Sequence, residues 1–112
     1  KLIIETFGLF HDVPNIGYKI MNDGYRIVHA TDTGSINHVE AIDYDLYAIE
    51  HNYDEEIIMK AIDEKIKSGA YSHEIRSRET HLSFQQSEEW ITSQMKDNSE
   101  VVMLHISQGY LK

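Results

Sequence analysis

The sequence reads as an α/β protein in which a layered sheet carries helices. Three observations point that way. Residues 16–30 form two strand-like runs around the turn signal Asn22-Asp23-Gly24, the pattern of a β-hairpin. The second half alternates apolar runs with helical periodicity. It closes on Glu100–Ile106, an apolar run suited to a buried strand.

The elements follow in order. Residues 2–10 are rich in β-branched and aromatic side chains and read as a strand, with Gly8 expected at a bulge or a close backbone approach. Residues 11–15 form a loop around Pro14, the one proline. After the hairpin, residues 31–35 turn and residues 37–42 are expected to form a short helix. Asp45–Ile49 reads as a buried strand. Asp54 then caps a helix whose Ile58, Ile62 and Ile66 recur at helical spacing, ended by Ser68-Gly69. Residues 70–82 read as a short helix and a loop. Ser83 and Gln86 make a capping box for a second helix, with Phe84, Trp90, Ile91 and Met95 as its apolar side chains and Asp97-Asn98-Ser99 as its breaker.

With 112 residues, the chain is one domain or part of one. Apolar residues make up 41% and charged residues 26%, ordinary values for a globular protein. The formal net charge of −9 argues against a basic groove as the nucleic-acid footprint of this segment, though bound cations would offset much local charge. There are no cysteines, so thiolate ligands are excluded. The seven histidines leave imidazole and carboxylate as the available metal donors. No run reads as a membrane span or signal peptide, which makes the cytoplasm the simplest compartment. The chain enters an apolar run directly at Lys1, as a truncated or processed polypeptide would.

Three polar residues sit just past strand ends: His11 after Phe10, Asp32 after Thr31, and His105 after Val101–Leu104. Strand ends of a layered sheet converge on one rim, so these can meet. Two imidazoles and a carboxylate suit zinc, manganese or iron. Each residue also has a purely structural reading: a core histidine for His105, a solvated loop for His11, and an Asx turn or N-cap for Asp32. Glu50-His51 pairs a carboxylate with an imidazole after another strand, and His81 is a candidate proton donor. His29, His38 and His73 read as structural or solvated.

In order, His11-Asp12 with Gly17-Tyr18-Lys19-Ile20, Thr31-Asp32-Thr33-Gly34, Asp45 to Asp54, His81-Leu82-Ser83 and Leu104-His105-Ile106-Ser107 resemble the C-terminal half of metallo-β-lactamase-fold hydrolases. The nearest likeness is to the WalJ/YycJ-type branch, kin to ribonuclease Z and the phosphodiesterase PhnP. The resemblance implies half of a four-layer αββα sandwich: one mixed sheet with flanking helices, residues 1–112 forming a single segment. It implies a site for two divalent ions, zinc or manganese, with His11, Asp32 (bridging) and His105 as ligands, and His81 with Glu50 handling the proton.

The family's HxHxDH motif is not in this sequence. The resemblance therefore implies a missing N-terminal half or a second chain as partner, and a segment that is inactive alone. The implied activity is a phosphodiesterase or nuclease working through a metal-held hydroxide, on DNA, RNA or a small phosphodiester. Hydrolysis of a thioester, lactone or lactam on the same fold, and a non-catalytic half with a structural role, are the alternatives.

Overall fold

The computed structural model describes residues 1–69 and 78–107. Five strands form one sheet in sequential order: β1 (Leu2–Leu9), β2 (Asn15–Asn22), β3 (Tyr25–Ala30), β4 (Leu46–Glu50) and β5 (Glu100–Leu104). The first three pair antiparallel, and β3, β4 and β5 run parallel. Among the described residues, the helices α1 (Glu55–Ser68) and α2 (Phe84–Gln94) lie between β4 and β5, with a further helical turn at residues 78–80. The sheet is thus mixed, an antiparallel meander joined to a parallel half that needs crossovers. Among the described residues, no helix is long and apolar enough to cross a membrane.

The β2–β3 hairpin turns on Asp23 and Gly24, both at positive φ (50° and 85°), with Asn22 facing Tyr25. Positive φ at both central residues gives a turn whose twist matches the strands. Gly8 is neither a bulge nor a close approach: it pairs in unbroken register with Ile16, and an added Cβ would touch nothing. The close approach belongs to Gly17, where a Cβ would strike the Phe7 ring and the His29 carbonyl.

One face of the sheet holds the core. Val28, Ala30, Tyr47 and Ile49 pack there with Ile36, Val39, Ala41 and Tyr44 from the β3–β4 connection, and with Leu82, Trp90 and Ile91. Residues 37–42 are not helical as expected. Their backbone is satisfied by side chains instead of by a helical ladder. Trp90 Nε1 donates to Val39 O (3.0 Å), Ala41 N to Gln94 Oε1 (2.8 Å), and the Tyr47 hydroxyl to Ala41 O (2.6 Å). The segment buries alternate apolar residues as an irregular cover, which satisfies the same donors and acceptors a helix would.

Asp54 caps α1 by accepting from Glu56 N and Ile57 N, and Gly69 closes it at φ 75°. Ile58 and Ile62 are buried with Tyr53, while Ile66 remains 62% exposed. The stripe therefore packs over only part of its length. The capping box of Ser83 and Gln86 opens α2, which buries Ser87, Trp90 and Ile91. The helix stops at Gln94, before the Asp97-Asn98-Ser99 breaker, because Met95 is extended. β5 ends at Leu104 and not at Ile106, because His105 takes a positive φ of 52°. Most of segment 70–82, with His73, falls outside the described residues.

Strand alternation and register put Ile4, Tyr18 and Val102 on the opposite face, with Ile16 beyond them. All four are exposed apolar side chains, 38–55% accessible.

Candidate metal centre

Each candidate side chain leaves the same rim of the sheet. Asp32 stands just past β3 at φ 56°, a left-handed position that Asp tolerates better than most residues. Asn15 holds this turn by donating from Nδ2 to Thr31 O (2.8 Å) and Asp32 O (3.0 Å). The neighbouring Thr33 is fully buried and ties in the His11 loop. Phe10 N donates to Thr33 Oγ1 (3.0 Å), and Gly34 N donates to Phe10 O (2.8 Å). Gly34 carries no Cβ because the Glu79 carbonyl occupies that space. The loop bearing Asp32 thus rests directly on the backbone just before His81.

Glu50 ends β4 and organises the rim. It has no solvent exposure. Its Oε2 accepts from His81 Nδ1 (2.7 Å), His105 Nδ1 (2.7 Å) and Asn52 Nδ2 (3.3 Å). Its Oε1 accepts from Thr33 N (3.3 Å) and Leu82 N (3.4 Å). A buried carboxylate is costly unless it is hydrogen-bonded, and these five donors offset the cost. The Ser87 hydroxyl also donates to the Glu50 carbonyl, fixing the strand end to α2.

Asp32 joins from the outer side. Its Oδ1 lies 2.9 Å from His105 Nδ1 and 3.7 Å from His81 Nδ1. One donor atom from each of Asp32, Glu50, His81 and His105 falls within 4.8 Å of the others. His11 stands behind His81, ring centroids 5.7 Å apart. Its Nδ1 is the one buried side-chain nitrogen or oxygen without a hydrogen-bond partner among the described residues. The hydrogen bond to Glu50 raises the His81 pKa; burial opposes this, and the charges of Glu50, Asp32 and Asp12 reinforce it.

The residues fit a divalent cation. Two carboxylates converge on one imidazole nitrogen, which a single proton cannot satisfy equally, and a further imidazole nitrogen is buried without a partner. Oxygen and imidazole donors of this kind are the ones a divalent cation takes.

Of the residues singled out in the sequence, Asp32, Glu50, His81 and His105 come together, and His11 stands beside His81 outside that group. The pairing of Glu50 with His51 does not form. His51 is buried, with Nδ1 3.0 Å from Ile49 O and its ring against Phe84, while Glu50 serves His81 and His105. His29 lies beside Tyr18 on the sheet, and His38 donates from Nε2 to Gly8 O (2.7 Å). Thr33 and Asn52 were not foreseen as supports. Their only signal was position, as small polar residues next to strand-end acids. A cavity of about 380 Å³ lies beside Tyr53, Ile58 and Arg78, and none of the five residues lines it.

No family model and no curated protein matches the sequence. Among solved structures, the chain is similar to human tRNase Z, short form, with a TM-score of 0.66 and 20% identity over 96% of this chain. The chain spans 38% of that protein's length. The fold is a mixed five-stranded sheet with helices that matches one half of the metallo-β-lactamase fold.

Proposed function

We propose that the chain is the C-terminal half of a metal-dependent phosphodiesterase or nuclease, and that it works when joined to the other half of its sandwich. One observation carries this reading: the convergence of Asp32, Glu50, His81 and His105 within 4.8 Å on the rim of a sheet with this fold. His11, Asp32 and His105 would hold two divalent ions, zinc or manganese, together with ligands from the other half. Such ions polarise phosphoryl oxygens and lower the pKa of a bound water.

The chain's own residues supply the rest. Glu50 orients His81 through the 2.7 Å contact and favours its protonated form. His81, 3.7 Å from Asp32, would then serve as the proton donor that a departing alkoxide needs. This favours a phosphodiester, whose alkoxide is a poor leaving group, over a thioester, whose thiolate departs without a proton; a lactone or lactam needs the same proton and stays the alternative. We assign the chain to the WalJ/YycJ-type branch because Glu50 is followed by His51-Asn52-Tyr53-Asp54. The bare sheet face is where the N-terminal half or a second chain would pack, and the cytoplasm is the compartment we assign.

The test uses the full-length protein with bis-p-nitrophenyl phosphate and added zinc or manganese. Turnover abolished by a chelator and restored by metal is expected. A metal-free protein with no turnover, and no loss of stability on adding chelator, would sink the reading in favour of a structural half.

A further inference from the structure

Asn52 lies two residues beyond Glu50 and is only 7% exposed. Its backbone N–H donates to Leu82 O (2.9 Å), and its carbonyl accepts from Ser107 N (2.9 Å). Its side-chain Nδ2 donates to Glu50 Oε2 (3.3 Å) and to the carbonyl of His105 (3.0 Å). One residue therefore touches the His81–Leu82 loop, the central carboxylate, and the chain on both sides of Ile106.

His105 needs such support. Its φ of 52° is sterically unfavourable for a residue with a Cβ and persists only where surroundings over-determine it. The Asn52 amide holds the His105 carbonyl, and the Asn52 carbonyl holds Ser107 N. This small ring keeps the turn after β5 closed. The same turn aims His105 Nδ1 at both Glu50 and Asp32.

We propose that Asn52 is the positioning residue of the cluster. It fixes His105 in its left-handed turn while directing Glu50 Oε2 at the two imidazoles. The residue type follows from the chemistry. An amide NH₂ carries two donors, one for the carboxylate and one for the carbonyl. A carboxylate of the same shape has none, and a hydroxyl has one.

Only the kinetic half of the test rests on the hydrolase reading. Full-length Asn52→Asp and Asn52→Ser proteins would be crystallised and assayed with bis-p-nitrophenyl phosphate plus zinc or manganese. In Asn52→Asp, His105 should leave its positive φ and separate from Glu50 beyond hydrogen-bond distance. The kcat should fall roughly 10- to 100-fold, as for lost support around a metal ligand, with KM within about twofold of the parent. Asn52→Ser should fall between the two, and it carries the same readouts if Asn52→Asp does not fold.

A purely structural role would lower the melting temperature and leave kcat unchanged below it. That result, or a His105 turn and Glu50 carboxylate unmoved in the variants, overturns the proposal. If the unsubstituted protein shows no turnover, the hydrolase reading alone has failed, and the crystal structures still decide the role of Asn52.

Discussion

Nδ1 of His81 lies 2.7 Å from Oε2 of Glu50, a carboxylate shut off from solvent and 31 residues distant in the chain. The contact joins the end of β4 to a residue just before the α2 cap. It makes Glu50 a structural hub and, under the proposed function, the partner of the proton donor.

Glu50→Gln separates those two roles. The amide keeps the size but loses the charge and puts N–H groups where acceptors stood. In the full-length protein, kcat should fall by about 100-fold or more, the scale of positioned acid–base groups. Unfolding free energy should fall by about 1–3 kcal/mol, because buried donors lose their acceptor. Steady-state kinetics and urea melts measure the two effects. An unchanged kcat would remove Glu50 from the chemistry.

Asp32→Asn tests the metal. Asp32 Oδ1 approaches His105 Nδ1 at 2.9 Å from a partly exposed position, so its loss should disturb the fold little. Metal affinity of the full-length protein should drop by more than about tenfold, since even supporting residues around a ligand cost roughly 10- to 100-fold. Metal analysis after dialysis at fixed free zinc or manganese reads this directly. Retained affinity would exclude Asp32 as a ligand.

Trp90 is the chain's one tryptophan, so its fluorescence reports the packing of α2 on the sheet. Its ring meets Tyr47 at 5.9 Å, and its Nε1 holds the Val39 carbonyl. Trp90→Ala should cost about 3–5 kcal/mol through the cavity it leaves. Trp90→Phe should cost less, with about 1 kcal/mol of it assignable to the lost hydrogen bond. A loss below about 1 kcal/mol for Trp90→Ala would mean that the irregular 37–42 cover is not held by this contact.

The elements legible in the sequence were those governed by local rules. The Asp23-Gly24 turn, the Asp54 cap, the Gly69 stop and the Ser83–Gln86 capping box all depend on residues within a turn of one another. The nearness of Asp32 and His105 was legible because strand ends share a rim, and that of Glu50 and His81 because the order of motifs resembled a known fold. The cover over residues 37–42 was not, since its hydrogen-bond partners come from Trp90 and Gln94, far along the chain. Nor were the positive φ values of Asp32 and His105, which depend on Asn15 and Asn52. No pattern in the sequence pairs those residues.

Asp45 gives the sheet one pH-dependent contribution to its stability. Its side chain accepts from Lys96 Nζ (2.6 Å) and Arg26 N (2.7 Å), and the Lys96 hydrogen bond, then the Arg26 one, lowers its pKa. A carboxylate whose folded pKa is depressed stabilises the fold above its unfolded pKa, near 3.8. That contribution is lost as pH falls through the lower folded value. The parent should therefore exceed Asp45→Asn in urea midpoint at neutral pH, and the gap should close below the unfolded pKa. A gap that widened on acidification would contradict the linkage.

Gly34 governs the spacing between the Asp32 loop and the approach to His81. A Cβ at this position would fall on the Glu79 carbonyl, and Gly34 N is already committed to Phe10 O. Backbone stands on both sides, so no flexible side chain can yield. Gly34→Ala must push the Asp32 turn away from the residues before His81, loosening the 3.7 Å Asp32–His81 approach and the Thr33 hold on the His11 loop. The expected cost is about 1–3 kcal/mol of stability, the usual range for overpacking. Activity and metal affinity should fall together, because Asp32 and His11 move as one loop pair. A crystal structure of the Gly34→Ala protein with the new methyl accommodated and Asp32 in place would contradict this, as would unchanged metal affinity in that variant.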